Sequence, residues 1–142
     1  MIASFIQKSH RSTVSLLLLG ADARSLASSV GEYGIAPTSC SSTNEAVAAL
    51  KELPYQAVLC DLKLPGAEKF MQDVRSKFPS VALLVYTQPG DLRGGILATL
   101  AGAAGYIQAP LDPANVTDLV HNALVRKRLE TAIYSSGSHY AQ

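Results

Sequence analysis

Residues 57–66 read Ala-Val-Leu-Cys-Asp-Leu-Lys-Leu-Pro-Gly. From Ala57 to Cys60 the run is apolar without alternation, the pattern of a strand covered on both faces, as in parallel sheets. Asp61 puts a carboxylate where such a strand should end, and Leu64-Pro65-Gly66 supplies a turn. We read the strand as Gln56 to Leu62. A doubly buried strand with a carboxylate at its carboxyl end predicts an α/β domain whose site lies along that edge.

Toward the N-terminus, Val14 to Leu19 is a second uninterrupted apolar run, closed by Gly20. Asp22 is placed to cap a helix running to about Tyr33, with Leu26, Val30 and Tyr33 at helical spacing and Gly34 as its stop. Ile35 to Cys40 reads as a strand, and Pro37 inside it removes a backbone donor, which assigns it to a sheet edge. Ser42 and Glu45 form a capping-box pattern ahead of a helix that stops before Pro54.

Toward the C-terminus, a helix is expected from Glu68 to Phe78, with Phe70, Val74 and Phe78 on one side and Pro79 as its stop. Val81 to Tyr86 is a fourth strand. Asp91 caps a helix to about Leu100, which Gly94 and Gly95 weaken by roughly 1 kcal/mol each. Gly105 to Gln108 is a short fifth strand. Asp112 and Pro113 start a last helix that carries Val116, Leu119, Val120, Ala123 and Leu124 and continues to Glu130. The alternation predicts a three-layer, doubly wound, flavodoxin-like fold with a five-stranded parallel sheet. An edge position for the Pro37 strand fits the order 2-1-3-4-5. Residues 1–12 read as a flexible leader, 13–130 as the domain, and 131–142 as a polar tail, frayed from Ser135. The carboxyl ends of the strands bring Gly20, Ala21, Asp22, Asp61, Thr87 and Ala109 to one edge.

Composition narrows the function. Of the 142 residues, 48% are hydrophobic and 16% charged, so the chain is globular. A formal net charge of +1 argues against direct nucleic-acid binding. The longest apolar run is too short to span a membrane, and the N-terminus lacks the ordered regions of a signal peptide. Cys40 and Cys60 have no metal-ligand spacing and are expected as reduced, buried thiols, which suits the cytoplasm. His10, His121 and His139 are scattered, and Gly90, Gly94 and Gly95 lack the Lys-Ser/Thr of a phosphate loop. Arg126-Lys127-Arg128, with Glu130 nearby, reads as a solvated face. No nucleophile–His–acid set is visible, so an enzyme is not expected.

Three blocks carry a resemblance: residues 57–66, Leu-Leu-Val-Tyr-Thr at 83–87, and Ala-Gly-Ala-Ala-Gly-Tyr-Ile-Gln-Ala-Pro-Leu at 101–111. Together they resemble the receiver domains of bacterial response regulators, the CheY-like superfamily, over about residues 13 to 126. The resemblance implies that Asp61 is the phosphoacceptor, that Thr87 supplies the phosphate-binding hydroxyl, and that Tyr106 is the switch aromatic. It also implies that the peptide before Pro110 is often cis. Where the family has two acidic residues that hold magnesium, this chain has Gly20-Ala21, followed by Asp22. Where the family has a lysine before the proline, it has Ala109.

Asp22 and Asp61 are thus the carboxylates left for a magnesium ion, and no other cofactor is expected. A charge pair at about 4 Å is worth roughly 4 kcal/mol at an effective dielectric of ~20, so losing such partners slows phosphoryl transfer steeply. The expected function is a two-component or phosphorelay receiver that acts mainly as a protein-interaction module with impaired phosphorylation, a pseudo-receiver. The alternative is a functional phosphoacceptor at Asp61 with atypical metal use. Partners implied by the resemblance are a histidine kinase or other signalling protein, an output domain in the same chain, and a second copy through the fourth and fifth helices. A small-ligand binder of flavodoxin-like form lacks a phosphate loop and a stacking tryptophan.

Overall fold

Four consecutive leucines, Leu16 to Leu19, make up the body of β1 (Val14–Leu19) and are all fully buried. A computed structural model describes residues 13–140; the leader read at 1–12 lies outside the described residues. Side-chain alternation sends these leucines to two different cores. Leu16 and Leu18 pack with Leu59, Leu84 and Tyr86 and with Val116, Val120 and Ala123 of the last helix. Leu17 and Leu19 pack with Val58, Cys60, Leu83 and Val85 and with Phe70, Met71 and Val74 on the other side. Burying each such leucine contributes about 1.5–3 kcal/mol.

The remaining strands are β2 (Ile35–Cys40), β3 (Ala57–Asp61), β4 (Ala82–Thr87) and β5 (Gly105–Gln108). All pair in parallel, in the order β2-β1-β3-β4-β5. Pro37 lies on edge strand β2, opposite Leu16, as its missing N–H requires. The five-stranded, three-layer, flavodoxin-like arrangement is therefore the one expected.

The helices are α1 (Ala21–Arg24), α2 (Thr43–Glu52), α3 (Ala67–Lys77), α4 (Leu92–Leu100) and α5 (Pro113–Tyr140). Ser42 Oγ caps α2 by accepting from the Glu45 N–H at 3.1 Å. The return arm of the expected box is displaced by one residue: Glu45 Oε2 accepts from the Ser41 hydroxyl at 2.7 Å and the Ser41 N–H at 3.2 Å. These bonds hold the Glu45 carboxyl below its ordinary range. Asp91 caps α4 by accepting from the Gly94 N–H, and Asp112 accepts from the Asn115 N–H at the start of α5.

Two expectations about helices need correction. The helix expected from Asp22 to Tyr33 is only one turn long, followed by turns and a separate 3-10 helix at Val30–Tyr33. Asp22 is not its cap; Gly20 holds that position. The break follows Ser25. The Ser25 hydroxyl donates to the Asp22 carbonyl at 2.7 Å, and the following amides bond three residues back, Leu26 to Ala23 and Ala27 to Arg24. Leu26 and Val30 are buried as their spacing implied, but Tyr33 is 44% exposed. At the other end, α5 continues through residues 131–140, which composition alone reads as tail. Once a helix is nucleated on the core, each further residue adds one hydrogen bond without a new nucleation cost.

Among the described residues no helix is long and apolar enough to cross a membrane. Cys40 and Cys60 are free and buried, as expected. Burial and the neighbouring Asp61 charge push the Cys60 thiol up to about 12, and burial raises Cys40 as well.

Candidate functional site

Asp61 ends β3 and is partly exposed at the carboxyl edge of the sheet. Its Oδ1 accepts the Lys63 N–H at 2.9 Å, and its carbonyl accepts the Leu64 N–H at 3.2 Å. The Leu-Pro-Gly turn thereby fixes the carboxylate at the mouth of the edge. In the sheet register Asp61 stands opposite Tyr86 on β4, whose carbonyl accepts the Leu62 N–H at 3.1 Å.

Tyr86, which the motif reading passed over, forms the floor of the site. It is fully buried. Its Oη accepts the Ala23 N–H of α1 at 3.3 Å, so the ring reaches from β4 across the end of β3 to the β1–α1 junction. The contact is possible because residue 20 is glycine. A β-carbon there would overlap Tyr86 Oη and would stand 2.6 Å from Asp61 Cβ and 3.1 Å from Tyr86 Cζ. Gly20 also has φ +113, a conformation that side-chain-bearing residues rarely adopt. Burial raises the Tyr86 phenol above its ordinary value, against the Ala23 hydrogen bond, which lowers it; the charges of Asp61 and Asp22 add to the rise. A tyrosine buried in a strand needs a partner for its oxygen, but nothing in the sequence pairs Tyr86 with Gly20, which closes β1 with β3 lying between.

Over this floor, Asp22 Oδ2 accepts from Gln88 Nε2 at 3.1 Å, joining α1 to the loop after β4. Gln88 is a second residue that motif reading missed. Ala21 is exposed, and its side chain carries no polar atom.

Thr87 closes β4 at 0% exposure, and its Oγ1 has no hydrogen-bond partner among the described residues. Its carbonyl accepts the Ala109 N–H at 2.7 Å, which brings the ends of β4 and β5 together. Ala109 is buried, and the Ala109–Pro110 peptide is cis, as the resemblance implied. Tyr106 stands apart from this group. It is 41% exposed, and its ring lies over α4, where a β-carbon on Gly95 would fall 2.5 Å from Cε2. Leu92, Ile96, Leu97 and Leu100 of α4 are likewise exposed, making an apolar ridge beside Tyr106.

The residues present do not fit a resident magnesium ion. Such an ion takes near-octahedral oxygen ligands and needs carboxylates or phosphates that it can reach together. Here one oxygen of Asp61 and one of Asp22 are already in hydrogen bonds, and a phenol fills the room beside Gly20. Among the described residues no group of three or more His, Cys, Asp or Glu is arranged to hold a metal. A larger groove of about 1130 Å³ lies at the amino ends of β3 and β4, lined by Leu53, Tyr55, Phe78 and Leu124 among others. The length of the sheet separates it from Asp61.

No family model matches the chain. Over 95 residues it is 33% identical to the hydrogenase transcriptional regulatory protein HoxA of Cupriavidus necator, a match that covers 63% of this chain and 19% of that protein. The chain spans about a fifth of the length of the curated relatives it matches. Its fold is that of a response regulator receiver domain protein from Clostridium thermocellum (TM-score 0.70, 24% identity, 82% of this chain and 98% of that one). It also matches NtrX from Brucella abortus (TM-score 0.80, 16% identity, 92% of this chain and 30% of that one).

Proposed function

We propose, from the premise that this chain is a receiver domain of the response-regulator type, that it acts mainly as a protein-interaction module in which phosphoryl transfer to Asp61 is impaired. The supporting observation is the set of groups around Asp61. Asp22, the other carboxylate at this edge among the described residues, is already bonded to Gln88, and position 109, where the resemblance calls for a lysine, is a buried alanine. A carboxylate attacking an anionic phosphoryl donor needs cations to offset the charge that accumulates, and these positions supply none.

What the domain retains is a surface. The exposed apolar residues of α4, with Tyr106 of β5 beside them, present a ridge suited to a protein partner. By resemblance that partner is a histidine kinase or another signalling protein in the cytoplasm, an output domain in a longer chain, or a second copy. The domain 13–130 would carry this activity, with α5 leading out of it.

The unpartnered Thr87 hydroxyl favours a second reading, a working phosphoacceptor at Asp61. A buried hydroxyl without a partner suits a site that awaits an oxyanion. Intact-mass measurement after incubation with magnesium and a small phosphoryl donor separates the two, with Asp61→Asn as control. No adduct is expected. One added phosphoryl group, absent in Asp61→Asn, would overturn the impaired-receiver reading.

A further inference from the structure

The space beside Asp61 is not merely short of ligands; it is filled. Three observations converge on one side chain. Tyr86 is fully buried although it stands at the carboxyl end of β4, where a strand normally opens toward a site. Its phenol has a definite partner, the Ala23 amide at the start of α1. The position facing it is a glycine whose absent β-carbon is the room the phenol occupies. The ring, packed on Gly20 and hydrogen-bonded to the Ala23 amide, takes up the room at the end of β1 next to the Asp61 β-carbon.

We propose that Tyr86 is the resident occupant of the space beside Asp61 in which a receiver would hold its cation, so that the domain closes this site with its own side chain. The phenol joins β4 to the β1–α1 junction across the end of β3, whereas a cation held by carboxylates would tie that junction to Asp61 of β3. The resting shape of this edge therefore needs no ligand. Asp22 and Gln88 span the mouth above it, and Gly20 is the counterpart that lets the ring in. This inference deepens the impaired-receiver reading and rests on it, but it makes a separate claim: exclusion by Tyr86, not only a shortage of carboxylates, bars the ion.

Manganese is the probe, read by paramagnetic loss of amide signals in residues 20–23 and 61–63. Ala21→Asp restores a carboxylate at an exposed position without disturbing Gly20. Tyr86→Val removes the ring. Wild type and Ala21→Asp alone are expected to keep their signals, while Ala21→Asp combined with Tyr86→Val loses them. Equal loss in Ala21→Asp alone would show that Tyr86 excludes nothing. No loss in the double variant would show that something other than Tyr86 excludes the ion. Either result overturns the proposal.

Should Tyr86→Val fail to fold, Tyr86→Phe keeps the ring and removes only the oxygen. The Ala23 amide then lacks its acceptor, and its hydrogen exchange should speed up roughly 2- to 10-fold. An unchanged rate would mean that the phenol is not seated there, and the proposal would fall. The two readings fail separately. A phosphoryl adduct on wild-type Asp61 alongside manganese-silent amides would sink the impaired-receiver reading and leave the Tyr86 plug standing.

Discussion

Replacing Thr87 by valine should make this protein more stable. Thr87 is completely buried and its Oγ1 has no hydrogen-bond partner among the described residues. An unsatisfied buried hydroxyl costs about 1–3 kcal/mol, the desolvation that no internal bond repays. Valine has nearly the same shape, so Thr87→Val removes the orphan group, adds a buried methyl, and keeps the β-branched fit to β4. The expected gain is about 1–3 kcal/mol, which for a chain of this length raises Tm by roughly 3–10 °C. Thr87→Ser is the matched control: it keeps the hydroxyl and loses the methyl, so its Tm should fall. Thermal unfolding followed by circular dichroism on the three proteins decides the matter. A Thr87→Val protein no more stable than wild type would refute the reasoning, because the hydroxyl would then have a partner. A gain would mean that selection has kept a destabilising group at this edge, the usual trade between stability and a functional site.

Two further perturbations test other parts of the structure. Gly95→Ala should gain helix propensity in α4 yet lower stability by about 1 kcal/mol or more, because the new methyl meets the Tyr106 ring; Gly31→Ala, where nothing lies within 4 Å, should be neutral or stabilising, and urea midpoints of the two variants compare them directly. Stability should also decline at alkaline pH. The Cys60 thiol is raised from 9.0 to about 12, so above pH 9 the unfolded chain gives up a proton that the native state keeps. The slope approaches about −1.4 kcal/mol per pH unit per group, steepening above pH 10 where Tyr86 joins in the same direction. A urea midpoint that stays flat from pH 8 to 11 would contradict this.

The sheet was legible because its three central strands, β1, β3 and β4, have apolar runs as their bodies, and Pro37 marked the edge that sets their order. Caps at Ser42, Asp91 and Asp112 were legible because a short polar side chain before a helix has few other uses. The first helix was misread because Leu26 and Val30 have the right spacing, whereas the Ser25 hydroxyl takes up the Asp22 carbonyl and the next amides bond three residues back, which spacing does not reveal. The candidate site was legible in its motif positions: Asp61, Asp22, Thr87 and Ala109 all lie along one edge. Tyr86 and Gln88 were not, because their roles arise from tertiary reach. Tyr86 counts as one more apolar residue of a strand until Gly20 is seen opposite it, and Gln88 is bonded to a residue 66 positions away.

The fit between Gly20 and Tyr86 also sets an order on how this protein can change. While the ring is present, any side chain at position 20 overlaps the phenol. A side chain there requires both a smaller residue at 86 and a backbone relieved of the φ of +113, and shrinking Tyr86 alone leaves a cavity costing several kcal/mol. Each single change is harmful before the pair is complete. The two residues are therefore coupled, and each fixes what the other can be.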